Sequence, residues 1–286
     1  MARAYMLFGF TVFLVQLHVS GNITKYINMK YSYLSLTAAI LFGLLTVIQV
    51  IHVFKTEGNH DHEHDHDCDH TCHHGHVHKK EKGIKRFLSA IVFIFPVFTG
   101  LFLPISTLDS TIVDAKGFHF PVSEPGNNDP FMQRQYLKPD LSVYYGEDGY
   151  KQLIKQETKE FVNKNHIELN DENFLKGMEV LYDNPGIFLG TKVTYKGFVY
   201  REKSLNNNQL FIFRFGIIHC VADSGVYGML INFPKKTNLK NDQWVEVTGT
   251  LKQMYYQPFK TTIPYLQVDN IKEVKPPSEP YVYRNK

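Results

Sequence analysis

Leu34–Phe54 reads LSLTAAILFGLLTVIQVIHVF, an apolar run broken only by small hydroxyls, Gln49 and His52. At about 1.5 Å of rise per residue such a run crosses the roughly 30 Å of a bilayer's hydrocarbon, so it predicts a transmembrane helix. Ala4–Ser20 is apolar except for Thr11, Gln16 and His18, and Phe87–Leu108 is apolar with Pro96, Gly100 and Pro104 inside it. Two further spans are expected there, over 4–20 and 87–108. The last should be kinked and packed, because neighbouring helices must satisfy the carbonyls that proline frees. Apolar residues crowd into the first 108 positions, so the slightly negative mean hydropathy averages a membrane part with a water-soluble part.

Basic residues near short loops stay in the cytoplasm. Under three spans, Arg3, Lys55, Lys79, Lys80, Lys82, Lys85 and Arg86 share one side, and Lys25 and Lys30 face the other. The expectation is a multi-pass cell-membrane protein with its N-terminus and the loop 55–86 cytoplasmic and everything after Leu108 extracytoplasmic. Tyr26, Tyr31 and Tyr33 would join the outer aromatic belt. A cleaved signal peptide, cut after Val19 and Gly21, is the competing reading of the first run, but a single charge and an apolar stretch beyond about 15 residues disfavour it. Gln16, His18, Gln49 and His52 lie near span ends, where reaching the interface costs little.

Between His60 and His78 the chain reads HDHEHDHDCDHTCHHGHVH, with nine histidines, two cysteines and five carboxylates in nineteen positions. Almost nothing there can bury a core, so folding does not ask for this composition. Imidazole and thiolate are ligands for Zn²⁺, with Ni²⁺, Co²⁺ and Cu⁺ as competitors. Cys68 and Cys72 with His70 and His73 or His74 suit a tetrahedral site. His60, His62, His64 and His66 alternate with acids that add oxygen ligands or acceptors, and His76 and His78 complete the candidate set. Several interchangeable sites are expected, zinc being the first choice of metal and no organic cofactor being implied.

Beyond Leu108, residues 109–146 carry four prolines and no periodicity, which predicts an extended linker. Residues 147–186 follow a helical period: Tyr150, Leu153, Ile154, Phe161 and Val162 share a face, and Asp171 should cap a second helix before Pro185. From Thr191 the period becomes 2, with strands expected at Thr191–Val199, Gln209–Cys220, Val226–Phe233, Gln243–Met254 and Tyr265–Val274. Five strands in 187–276, with Gly197 and Gly249 at bends, predict an OB-like five-stranded barrel, followed by a tail at 277–286. The fold class is thus three N-terminal transmembrane helices plus a soluble mainly-β C-terminal domain preceded by two helices.

A formal net charge of +3 is too small to argue for nucleic acid, and no phosphate loop, zincin helix or nucleophile elbow occurs. His219, Cys220 and Asp223 sit together in sequence, but neighbours on a strand point to opposite faces, so Cys220 reads as a buried structural cysteine with Asp223, Ser224 and Gly225 as turn formers. No enzyme is expected.

SGNITKYI after the first span, the histidine tract after the second, then KGFVYR, RFGIIHCVADSGVYG and WVEVTGTL are the stretches by which this chain resembles the YcgQ family of uncharacterised membrane proteins. The likeness covers nearly the whole chain and is most specific over Arg214–Gly228. Some members carry paired cysteines where this chain has His219 and Cys220, a departure that weakens any thiol-rich site. The family's description, a subunit of a two-component permease, implies a separate multi-span permease as partner and names no substrate. A chain of 286 residues is too short for a multi-span pore of its own. The leading expectation is an accessory subunit of a transport complex, with a metal-binding cytoplasmic loop and an extracytoplasmic partner-docking domain. The alternative is an envelope binding or assembly protein whose outer domain recognises a lipid or wall polymer, the loop being incidental. Membrane lipid is a partner in both.

Overall fold

The computed structural model describes residues 2–57, 83–104, 107–118 and 146–284. The histidine tract, with every expected metal ligand from His60 to His78, lies outside them, as does most of the expected linker. The described chain divides into a helical unit within residues 1–24 and 29–106 and a sheet unit within 25–28 and 107–286.

In the helical unit α1 (Ala2–Val19) packs on α2 (Ser32–Glu57) and α3 (Gly83–Phe102). Glycines allow the close approach: a methyl at Gly100 would lie 2.4 Å from the Phe13 ring, and one at Gly9 would lie 3.0 Å from Val97. Several polar side chains find partners nearby. His18 Nε2 meets Ser35 Oγ at 2.9 Å, and Thr11 and Thr46 donate to carbonyls one turn back.

The expectation of three membrane spans is corrected here. Among the described residues one helical stretch, Met29–Lys55, is long and apolar enough to cross a bilayer, and almost none of it is buried. Ile40 is 64% and Phe54 66% exposed. Ala4–Val19 is a shorter apolar helix, about 24 Å long. The third run fails at both ends. Lys85 and Arg86 occupy the first turn of α3, and the helix stops at Phe102, leaving about 24 Å of apolar length. Leu108, expected inside this span, belongs to the sheet unit, where its N–H donates to Tyr281 Oη at 2.8 Å.

The sheet unit contains α4 (Ser110–Lys116), α5 (Glu147–Phe161), β1 (His166–Leu169), α6 (Phe174–Asp183) and six further strands. These are β2 (Lys192–Tyr200), β3 (Gln209–Ile217), β4 (Ser224–Asn232), β5 (Trp244–Tyr256), β6 (Thr261–Glu273) and β7 (Val282–Tyr283). The expected five-stranded barrel is also corrected: the strands form one seven-stranded mixed sheet in the order β1-β2-β5-β6-β4-β3-β7. β1 joins β2, β6 joins β4 and β7 joins β3 in parallel, and the remaining pairs are antiparallel. β2 and β3 also meet, but only from Phe198 to Tyr200. β1 and β7, of four and two residues, are too short to announce themselves by alternation.

The core follows from the period. Val193 and Tyr195 of β2 are buried while Lys192 is exposed, and α6 is buried along nearly its whole length. Phe118 seals one region, with its ring edge-on to Phe211, Phe213, Tyr200 and Phe259. The buried Tyr182 Oη donates to Gly228 O at 2.8 Å, and the buried Tyr195 Oη donates to Ile212 O while accepting from Met229 N. Arg214 is 1% exposed, ion-paired to Asp171 and lying 5.6 and 5.7 Å from the Phe174 and Trp244 ring centres. Such contacts offset the cost of desolvating a cation.

Candidate functional site

β3 ends at Ile217, and the chain then turns through residues 218–223 before β4 begins. Asp223 organises this corner. Its carboxylate accepts from His219 N at 3.0 and 3.1 Å and from Cys220 N at 2.8 Å, and it meets His219 Nδ1 at 2.7 Å. Three donors on one carboxylate fix the turn, and the Asp223 contact orients the imidazole. His219 and Cys220 are therefore not strand neighbours on opposite faces, because a carboxylate-held turn has replaced the strand. Cys220 is half-buried rather than a core cysteine.

A second segment closes the corner from far away in sequence. Val221 N donates to Tyr26 O at 2.8 Å, Asn28 N to His219 O at 2.9 Å, and Asn28 Nδ2 to Ile218 O at 3.0 Å. Ile27 and Cys220 face each other as an antiparallel bridge. Lys25–Asn28, the connection between α1 and α2, thus behaves as an added strand of the sheet unit, and Asn28 is 5% exposed. Leu108, where the chain re-enters this unit, is tied to Tyr281. Burial raises the Tyr281 phenol above its ordinary value, and Tyr26, Glu279 and Asp109 are among the groups acting on it. Both connections to the helical unit are therefore anchored in one neighbourhood. Sequence reasoning placed Tyr26 in an aromatic belt and gave Asn28 no role; an isolated four-residue strap has no period to reveal it.

The strap has a direct test. Opposed antiparallel residues have Cα atoms about 4.5–5.5 Å apart, within disulfide range. Ile27→Cys in a full chain carrying Cys68→Ser and Cys72→Ser is expected to form a disulfide with native Cys220 under mild oxidation, read by peptide mass spectrometry. Free thiols at both positions would show the strap undocked.

An ion cluster joins Arg284 to α5 and α6. Arg284 Nη2 meets Glu157 Oε1 and Oε2 at 2.8 and 2.7 Å, while Arg284 Nη1 bonds Glu179 Oε2. Glu179 is fully buried, and its Oε1 has no hydrogen-bond partner among the described residues. Burial pushes its carboxyl up to about 8, against the pull of Arg284. No group of three or more His, Cys, Asp or Glu among the described residues could hold a metal ion.

An exposed apolar helix of membrane length points to a membrane-associated protein. The chain belongs to the DUF1980 family: the DUF1980 N-terminal domain matches residues 2–119 and the C-terminal domain residues 144–284. It is 50% identical over 285 residues to the UPF0703 protein YcgQ of Bacillus subtilis (strain 168), covering 99% of each chain, so the resemblance to the YcgQ family holds along its length. It is 35% identical over 288 residues, again 99% of each, to a Streptococcus mutans serotype c (strain ATCC 700610 / UA159) protein named "Putative two-component membrane permease complex subunit". Among solved structures, a chain of a replication protein A heterotrimer bound to ssDNA aligns over 29% of this chain and 57% of that one, at 18% identity and a TM-score of 0.18, too low to bear on fold or function.

Proposed function

We propose that this chain is the accessory subunit of a two-component membrane permease complex, contributing no chemistry of its own. In this reading the sheet domain docks a multi-span permease outside the cell, and the tract from His60 to His78 binds a transition metal, zinc first, in the cytoplasm. The description of the Streptococcus mutans relative carries the proposal. The donor chemistry of the tract supports its second half, since imidazoles and thiolates at this density match Zn²⁺.

Sidedness in this reading rests on charge. Asn28 is bonded into the sheet unit, and the apolar stretch Met29–Lys55 begins at the next residue. Lys55, Lys79, Lys80, Lys82, Lys85 and Arg86 follow its far end, against Lys25 and Lys30 at the near one. The positive-inside rule supports a cytoplasmic far end and tract, and in this reading the sheet domain lies outside.

The test is affinity purification of the full chain from mild detergent, beside a variant lacking Asn59–His78. Both are expected to recover a multi-span permease, and only the variant should lose zinc tolerance in cells. Recovery of wall- or lipid-synthesis machinery instead would overturn the permease role, and unchanged zinc, nickel and copper tolerance would overturn the role of the tract.

A further inference from the structure

The connection between β4 and β5 builds a cationic groove of about 540 Å³, lined by Arg201, Lys236, Asn238, Lys240 and Asn241 among others. Arg201 is fixed in place: its Nε donates to Leu239 O and its Nη2 to Thr237 O, both at 2.5 Å, and its backbone N donates to Asn241 Oδ1 at 2.8 Å. Carbonyl dipoles hold the guanidinium, and no carboxylate lines the groove to neutralise it. Two acids adjoin the lining in sequence: Asp242 is turned to Ser110, accepting from its N at 2.8 Å and its Oγ at 2.6 Å, and Glu202 accepts from Tyr256 Oη. Lys236 and Lys240 are exposed and have no ion pair among the described residues.

Placement says what meets this charge. Asp242 holds Ser110, which lies three residues after Thr107, where the chain enters the sheet unit from the helical one. The other connection, Asn28, leads without a linker into the apolar Met29–Lys55 stretch. A domain tethered at both connections cannot diffuse from a bilayer, so headgroups face it at high effective concentration and weak individual contacts suffice. We infer that the Arg201–Lys236–Lys240 groove binds the phosphate of anionic phospholipid headgroups. The inference rests on membrane association alone, so it stands or falls separately from the permease role.

The experiment is amide hydrogen exchange on the full chain in phosphatidylcholine nanodiscs, with and without phosphatidylglycerol, plus a third arm adding free glycerol phosphate to phosphatidylcholine. Protection over 236–241 is expected with phosphatidylglycerol only. Lys236→Gln and Lys240→Gln should each weaken it about five-fold, as expected for a surface cation at an anionic membrane. Both lysines are exposed, so exchange elsewhere in the sheet should be unchanged and folding is controlled. Equal exchange with and without phosphatidylglycerol overturns the inference. Protection by glycerol phosphate alone also overturns it, since the site would then take a free phosphate.

Discussion

Replacing Gly228 with alanine is expected to cost the sheet domain at least about 3 kcal/mol and lower its melting temperature by roughly 10 °C. A Cβ at this position would lie 1.9 Å from Ile212 O and 2.9 Å from Phe213 Cα, atoms of the adjacent strand's backbone. A side chain in that position could rotate away, but a backbone carbonyl inside a ladder cannot. β3 and β4 are paired without a break from Gln209–Asn232 to Ile217–Ser224, so relief must separate the two strands. That movement also strains the hydrogen bond from Tyr182 Oη to Gly228 O, whose donor is buried. The control is Gly186→Ala, where a Cβ meets nothing within 4 Å and melting should be unchanged. Thermal unfolding of the detergent-solubilised chain by circular dichroism reads both. Equal melting of the two variants would mean that β4 does not run this close to β3.

The strands were legible because burial on one face imposes period 2. Lys192, Val193, Thr194 and Tyr195 alternate in sequence, and Val193 and Tyr195 are the buried pair. Gly249, read as a bend, does sit at a register shift between β5 and β6. Pairing was not legible. Alternation says which residues face inward but not which strand lies alongside, and so a mixed seven-stranded sheet reads from sequence as a five-stranded barrel. The helical difference has another origin: hydropathy counts apolar residues without regard to where the helix stops, and Phe87–Leu108 reads as one run although α3 ends at Phe102. Asp171, expected to cap α6, ion-pairs Arg214 instead, and the helix begins after Asn173. The His219–Asp223 corner is visible as residues, but the strap that closes it, Lys25–Asn28, lies about 190 positions away, and no local pattern encodes such a partner.

The second large effect is expected at Arg284. Arg284→Ala removes the guanidinium that serves the fully buried Glu179 and the partly buried Glu157, and breaking such a cluster typically costs about 3–5 kcal/mol. One cation cannot neutralise both acids. Glu157 has two contacts to Arg284, and the fully buried Glu179 has its carboxyl pushed up to about 8 by burial. In the unfolded chain the same carboxyl titrates near its ordinary value of 4.5. Between those values the folded form holds a proton that the unfolded form has released. Stability from this group is therefore full below about pH 4.5 and drains away as pH rises toward 8. Glu179→Gln, permanently neutral, should flatten the slope and melt above the wild type at pH 8. Arg284→Ala should do the opposite, since losing the one charge that pulls the Glu179 value down makes ionisation there costlier still. Combining the two substitutions should recover part of the loss, because only Glu157 then lacks its partner. Urea titrations of the full chain at pH 5 and pH 8 separate these cases. An Arg284→Ala variant as stable as wild type at pH 8 would show that the C-terminal arginine does not hold α5 and α6 together.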